Sequence, residues 1–201
     1  MERACSLLGH HGAMAAVTGA TGAGRHAGHS TDAIGYPGRM LDEPGLLGPF
    51  GVRPWSGDAA RMLEDRVPVL AVGSNGDPSV LRRKLVARDA SPVVPLVPVV
   101  VIGLSVAHSA HVSLAGVVAA APRDDPTGAV RGVMTWLDAA QLAVVDTTEP
   151  NYQRVRLAEG RYVCATTVPT PAKPVSVYRS VWGLLAPDGG RPVSYTHLRA
   201  H

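Results

Sequence analysis

The sequence predicts an α+β fold, a small curled, mainly antiparallel β-sheet or β-barrel with two short helices. Three observations predict it. Between residues 67 and 185 the chain carries a succession of runs rich in valine and other β-branched or aromatic residues, punctuated by Gly, Pro, Asn, Asp and Ser. Only two segments carry helix-start signals, Asp77-Pro78 and Asp138 with Gln141 three positions on. Two helices are too few for the crossovers of a doubly wound parallel sheet, so the strands pair largely through hairpins.

The first strand spans 67–72 and runs into Gly73-Ser74-Asn75. A strand, a glycine turn and a helix in that order gather backbone N–H groups at one spot, which makes an anion cradle. Asp77 suits the N-cap and Pro78 the first turn of a helix over 78–86. Strands follow at 97–108 and 111–119, then a polar turn at 122–128 and a strand at 129–137. Asp138 and Gln141 form a capping box for a second helix, whose apolar face is Leu142 and Val145 with Ala139 nearby. Residues 151–157 alternate as a half-buried strand, which puts Tyr152 and Val155 on opposite faces. Strands at 161–167 and 176–185 complete the set.

The 201 residues are 46% hydrophobic, enough for one real core. The net charge of +3 comes from scattered Lys and Arg, with only Arg82-Arg83-Lys84 clustered, and aromatics are 4%. That lacks the basic stripe with interleaved aromatics of a nucleic-acid surface, so no nucleic-acid partner is expected. Cys5 and Cys164 stand far apart, which supports neither a disulfide framework nor a zinc site. His10, His11 and repeated glycines break any secretory h-region, which makes a cytoplasmic location the default. Residues 93–107 are apolar throughout but fall short of the roughly 20 needed to span a bilayer. With Pro95 and Pro98 among many valines, they read as a buried strand, and no membrane partner is expected.

The flanks read differently. Residues 1–35, rich in Gly, Ala and His without periodicity, are expected to be disordered. The glycine pattern at 17–25 lacks the strand, helix and downstream acid of a dinucleotide loop. Residues 36–66, punctuated by Pro and Gly, form a loop-rich lead-in. Residues 194–201 resemble translated adapter sequence, so the organised domain is expected to span 67–193, in truncated form, with a non-native tail after it.

Two separated motifs resemble one family. Val72-Gly73-Ser74-Asn75 after the first strand resembles the Tyr-Gly-Ser-Asn loop of gamma-glutamylcyclotransferase-like proteins. Gly132-Val133 with Trp136-Leu137, followed by Val145-Asp146-Thr147-Thr148-Glu149 and Tyr152, resembles their second motif. The resemblance spans residues 67–185 and implies a small mixed barrel with a cavity at one end. It implies that the α-amino group of a small gamma-glutamyl amine or peptide attacks its own side-chain carbonyl and closes to pyroglutamate. Glu149 matches the general acid/base, and Gly73, Ser74, Asn75 and Tyr152 match the substrate-binding positions. Because the nucleophile belongs to the substrate, the resemblance implies no metal and no cofactor. The family tyrosine is Val72 here, and Gly76-Asp77 replaces an apolar residue after Asn75.

Plainer readings stand beside these. Glu149 between Thr148 and Pro150 also reads as an exposed helix-end carboxylate, Tyr152 as strand packing, and Ser74 and Asn75 as residues satisfying their own loop. His108 and His111 sit three apart and face opposite sides of a strand, so they share no ion. Arg82, Arg83 and Lys84 read as a solvated helix face. The competing function is a non-catalytic domain of the same fold that binds a small molecule or partner, a reading favoured by Val72.

Overall fold

The computed structural model describes residues 38–113, 116–158, 163–165, 168, 173–186, 190 and 192–193. The expectations for residues 1–35, Cys5 and residues 194–201 lie outside the described residues. Two long strands organise the rest: β4 (Val94–Val112) and β5 (Val118–Leu137), paired antiparallel. Before them come β1 (Gly45–Gly48), β2 (Gly51–Pro54), α1 (Gly57–Arg61), β3 (Val67–Ala71) and α2 (Pro78–Val86). After them come α3 (Ala139–Thr148), β6 (Tyr152–Arg156), β7 (Val163–Ala165) and β8 (Ser176–Ser180).

The fold is α+β. Its mixed sheet runs β2-β1-β4-β5-β3-β8-β6 and is antiparallel except where β3 meets β8, with β7 added on β4. One edge of β4 pairs with β5. Its other edge is shared in turn by β1 at 94–96, β7 at 100–102 and the chain after β8, through the bridge Ser109↔Leu184. That last contact brings the far side of the sheet back to β4, so the sheet is curled and only partly closed.

The structure corrects the sequence reading in four places. The lead-in at 36–66 contains the β1–β2 hairpin and α1, and Leu46 and Leu47 are both 1% exposed. Four-residue strands between Gly and Pro carry too little periodicity to be read from sequence. The strands expected at 97–108 and 111–119 are not separated at Ser109-Ala110. The Ala110 N–H donates to Gly183 O at 3.1 Å and Ser109 bridges Leu184, so a partner distant in sequence keeps this stretch extended. The polar turn at 122–128 is an excursion inside β5. Ile102 pairs with Ala129 and Leu104 with Asp124, so residues 125–128 bulge opposite Gly103 alone. Gly103 takes φ +91°, a conformation that favours glycine. Finally, α3 buries Val145 and packs Leu142 against the outer core as expected, but it also buries Gln141 and leaves Ala139 exposed.

The core has two layers, sorted by strand parity. Leu70, Val97, Val99, Val101, Met134 and Trp136 pack inside the curl. Their neighbours Val69, Val94, Leu96, Val133 and Leu137 face outward, under Leu81 and Leu85 of α2 and Val145 of α3. Both faces of the central strands are therefore buried, which explains their near-continuous apolar sequence. The glycine at 132 has a spatial reason: a Cβ there would lie 2.8 Å from Ala71 O of β3.

Candidate functional site

Two chain turns build the site, each set by a local cap. β3 ends at Ala71, and Ser74–Gly76 forms a single 3-10 turn closed by Gly76 N–H to Gly73 O (2.9 Å) and Asp77 N–H to Ser74 O (3.1 Å). Asp77 then caps α2, accepting from Ser79 N (2.7 Å), Ser79 Oγ (2.6 Å) and Val80 N (3.4 Å), with Arg39 N (2.7 Å) as a fourth donor. Burial pushes the Asp77 carboxyl up, but these hydrogen bonds outweigh it and hold the group below its ordinary value.

The second turn is the C-terminal end of α3. The helix starts at the expected capping box, with Gln141 N donating to Asp138 Oδ1 (2.9 Å) and Asp138 N to Gln141 Oε1 (3.0 Å). It ends at Glu149, whose N–H donates to Asp146 O (3.3 Å) and whose carbonyl accepts from Tyr152 N (2.9 Å). Asp146 braces this end: it accepts from Arg154 Nε (2.9 Å) and Nη2 (3.1 Å) and from the Tyr178 hydroxyl (2.6 Å). The Arg154 bonds come first, with Tyr178 assisting, in holding the Asp146 carboxyl low against its own burial. The aspartate of the second motif is thus a strut between α3, β6 and β8.

The two turns meet. Asn75 Nδ2 donates to Glu149 Oε1 at 3.0 Å. Lys84 Nζ lies 2.5 Å from the same oxygen and donates to Asn75 Oδ1 at 2.7 Å, which closes a triangle of side chains. The Lys84 and Glu149 side chains are 19% and 14% exposed. Glu149 Oε2 accepts no hydrogen bond among the described residues. The N–H groups of Gly73, Ser74 and Asn75 likewise donate none among them, and all three residues are half-buried.

Tyr152 adjoins this triangle. Its hydroxyl donates to Ala120 O at 3.0 Å, and burial, with the nearby Glu149 charge, pushes its pKa up to about 12 against the pull of a Ser109 hydrogen bond. Ser109, fully buried, lies 2.6 Å from both His111 Nδ1 and Ser180 Oγ, and the His111 ring meets Tyr152 edge-on at 5.9 Å. His111 therefore shares its face with Ser109, as strand parity requires. Among the described residues no group of three His, Cys, Asp or Glu is placed to hold a metal ion.

The five expected site residues, Gly73, Ser74, Asn75, Glu149 and Tyr152, fall within this region, and one more residue joins them that the sequence does not mark as part of a site. Lys84 is not part of a solvated face. Arg82 is not free either, since its Nη1 donates to Pro49 O at 3.0 Å, and only Arg83 is exposed. The signal for Lys84 was its place three residues after Leu81, on the border of the buried stripe that Leu81 and Leu85 define. Two open clefts, of about 540 and 450 Å³, are lined by other residues: Arg39, Phe50, Asp77 and Arg82 among those of the first, Arg123, Asp124 and Arg179 among those of the second. No helix among the described residues is long and apolar enough to cross a membrane.

No family model matches the chain and no curated protein matches it. Among solved structures, the solution structure of At5g39720.1 from Arabidopsis thaliana matches with 19% identity and a TM-score of 0.42, covering 58% of this chain and 70% of that one. The solution structure of At3g28950.1 from Arabidopsis thaliana matches with 23% identity and a TM-score of 0.38, covering 57% of this chain and 62% of that one. At these TM-scores neither likeness bears on the role of any residue.

Proposed function

We propose that the protein is a gamma-glutamylcyclotransferase-like enzyme that cyclises the gamma-glutamyl group of a small amine or peptide to pyroglutamate. The observation that carries this reading is the 3.0 Å hydrogen bond from Asn75 to Glu149, which joins two motifs 74 residues apart in the chain. In the reaction the substrate's α-nitrogen forms a bond to its own γ-carbonyl carbon, and the bond from that carbon to the departing amine breaks. Two protons pass in net from the α-ammonium to the leaving nitrogen, and neither water nor an oxidant is consumed. Glu149 carries them one at a time through Oε2, the oxygen left open by Asn75 and Lys84. The N–H groups at Gly73, Ser74 and Asn75 supply donors for the substrate carboxylate or for the oxyanion that develops on the attacked carbonyl. Tyr152 keeps its proton well above neutral pH and serves as a neutral wall beside Glu149.

The experiment is to incubate the full chain with a panel of gamma-glutamyl amines and dipeptides and measure pyroglutamate. The reading expects product from the wild-type protein and a loss of roughly 100-fold or more in Glu149→Gln, the scale of a lost acid/base group. A folded wild-type protein that releases no pyroglutamate from any of them overturns it. A second reading, a non-catalytic binding domain of the same fold, is favoured by two observations. Lys84 neutralises Glu149 in the resting protein, and Val72, where the family has tyrosine, is 6% exposed within the inner core and supplies no hydroxyl.

A further inference from the structure

We propose that Ser180 is an activated nucleophile at a second site, where it takes the acyl group of small uncharged esters whose alcohol leaves as an anion. Nothing in the cyclisation proposed above uses it.

The hydroxyls of Ser180 and Ser109 lie 2.6 Å apart, and Ser109 Oγ lies 2.6 Å from His111 Nδ1, so a chain of two hydroxyls ends on an imidazole. β4 supplies Ser109 and His111 on one face, and Ser180 ends β8. With the proton of the neutral ring on Nε2, Nδ1 accepts from Ser109, and Ser109 accepts from Ser180. The Trp182 N–H donates to Ser180 Oγ at 3.1 Å, which stabilises negative charge developing on that oxygen. Tyr152 gives its hydroxyl proton to Ala120 O, so toward Ser109 it only accepts. A phenol oxygen is a weaker base than an imidazole nitrogen, and the proton route therefore ends at His111. Ser109 is fully buried and passes only a proton.

Ser180 is half-buried and lines the open cleft of about 450 Å³, which a reacting group can enter. Gly183 and Leu184 line the same cleft, and their N–H groups donate to no acceptor among the described residues, which leaves them for an oxyanion. The guanidiniums in the cleft are matched by carboxylates, Arg179 by Asp124 at 2.7 Å and Arg123 by Asp125 at 3.0 Å. They present no unmatched charge to an acyl group, and Pro122 and Leu184 suit a short apolar one. In the reaction Ser180 Oγ forms a bond to the acyl carbon. Its proton passes to Ser109 as Ser109 passes its own to His111 Nδ1, and the alcohol oxygen departs with the electron pair of the broken bond. Acylated Ser180 no longer joins the cleft to the relay, so the relay returns no proton to the departing oxygen, and esters of phenols are favoured. Water then adds to the acyl carbon, the bond to Ser180 breaks, and Ser180 recovers a proton through Ser109. A hydroxyl chain that only ties β4 to β8 predicts an inert Ser180.

The test exposes the full chain to an alkyl fluorophosphonate, in which Ser180 Oγ bonds to phosphorus and fluoride leaves, and maps the label by peptide mass spectrometry. Hydrolysis of p-nitrophenyl acetate is followed in parallel. Wild type is expected to carry the label on Ser180 and to stop releasing p-nitrophenolate once labelled. His111→Gln and Ser109→Ala, with folding checked by circular dichroism, are each expected to label about 100- to 10,000-fold more slowly at saturating probe, the range of a general base, with the half-saturating concentration unchanged. The double variant is expected to be no slower than either single one, because both cut the same route. A folded wild type whose Ser180 stays unlabelled overturns the proposal without recourse to any variant. So does a folded His111→Gln protein that labels at the wild-type rate, and so do losses that add in the double variant, the pattern of two structural defects. Neither readout involves pyroglutamate, so the proposal stands or falls apart from the cyclisation.

Discussion

Replacing Gln141 by leucine tests how α3, and with it Glu149, is held in place. Gln141 is fully buried and its amide makes four hydrogen bonds: Oε1 accepts from Arg66 Nη1 (2.8 Å) and Asp138 N (3.0 Å), and Nε2 donates to Ser91 O (2.7 Å) and Val93 O (3.0 Å). That is the full capacity of a primary amide. Leucine keeps the approximate volume and breaks all four. Val93 O retains Arg66 as a donor at 3.0 Å, and the exposed Ser91 carbonyl reaches water. The loss concentrates on Arg66, whose guanidinium is already disfavoured by burial although Asp138 opposes that shift, and on the Asp138 N–H. A charged hydrogen bond contributes about 1.5–3 kcal/mol and a neutral one about 0.5–1.5 kcal/mol, so the net cost is about 3 kcal/mol. Urea unfolding followed by tryptophan fluorescence should show that loss at unchanged m, with a Tm lower by roughly 6–12 °C. Arg66→Met in a double-mutant cycle should couple to it by about 1–2 kcal/mol. A Gln141→Leu protein within about 1 kcal/mol of wild type, or strictly additive variants, would refute this account of α3.

Three further outcomes follow from the same geometry. Tyr152 has a folded-state pKa of about 12, above its unfolded value near 10. Its stabilising effect is therefore complete below about pH 10 and is lost as pH rises toward 12; alkaline unfolding of Tyr152→Phe should be less steep, with a fall of about 0.5–1.5 kcal/mol at neutral pH from the lost bond to Ala120 O. Asp77 has a depressed folded-state pKa, so its contribution is present above about pH 4 and is lost as pH falls through the folded value. Asp77→Asn should show a flatter acid limb in circular dichroism melts, and Asp77→Ala should lose about 1 kcal/mol with the cap. Gly132→Ala places a methyl 2.8 Å from the Ala71 carbonyl oxygen and should cost about 1–3 kcal/mol in urea unfolding, because backbone on both sides must shift.

The sequence announced some parts of this molecule and hid others for reasons that can be assigned. The bounds of α2 could be read because its cap is local: Asp77 and Pro78 act on the next turn, whatever the rest of the chain does. The capping box of α3 could be read on the same ground. The face of α3 is legible only at Leu142 and Val145, because burial of a glutamine depends on whether distant carbonyls exist to satisfy it, and those for Gln141 come from Ser91 and Val93, about 50 residues away. Strand continuity through Ser109-Ala110 was hidden likewise, since Gly183 and Leu184 supply the partners.

For the site, the sequence by itself determined which residue types stand at the end of each element: a Gly-Ser-Asn turn after β3 and a carboxylate at the end of α3. It did so through turn and cap chemistry, which acts over three or four residues. Tertiary structure alone decided that the two ends meet, through the common burial of α2 and α3 against the outer face of the sheet. It also decided that Lys84 turns inward. A lysine on the border of a buried stripe has four rotatable carbons and goes where charge is available, and the charge on Glu149 lies 65 residues further along the chain.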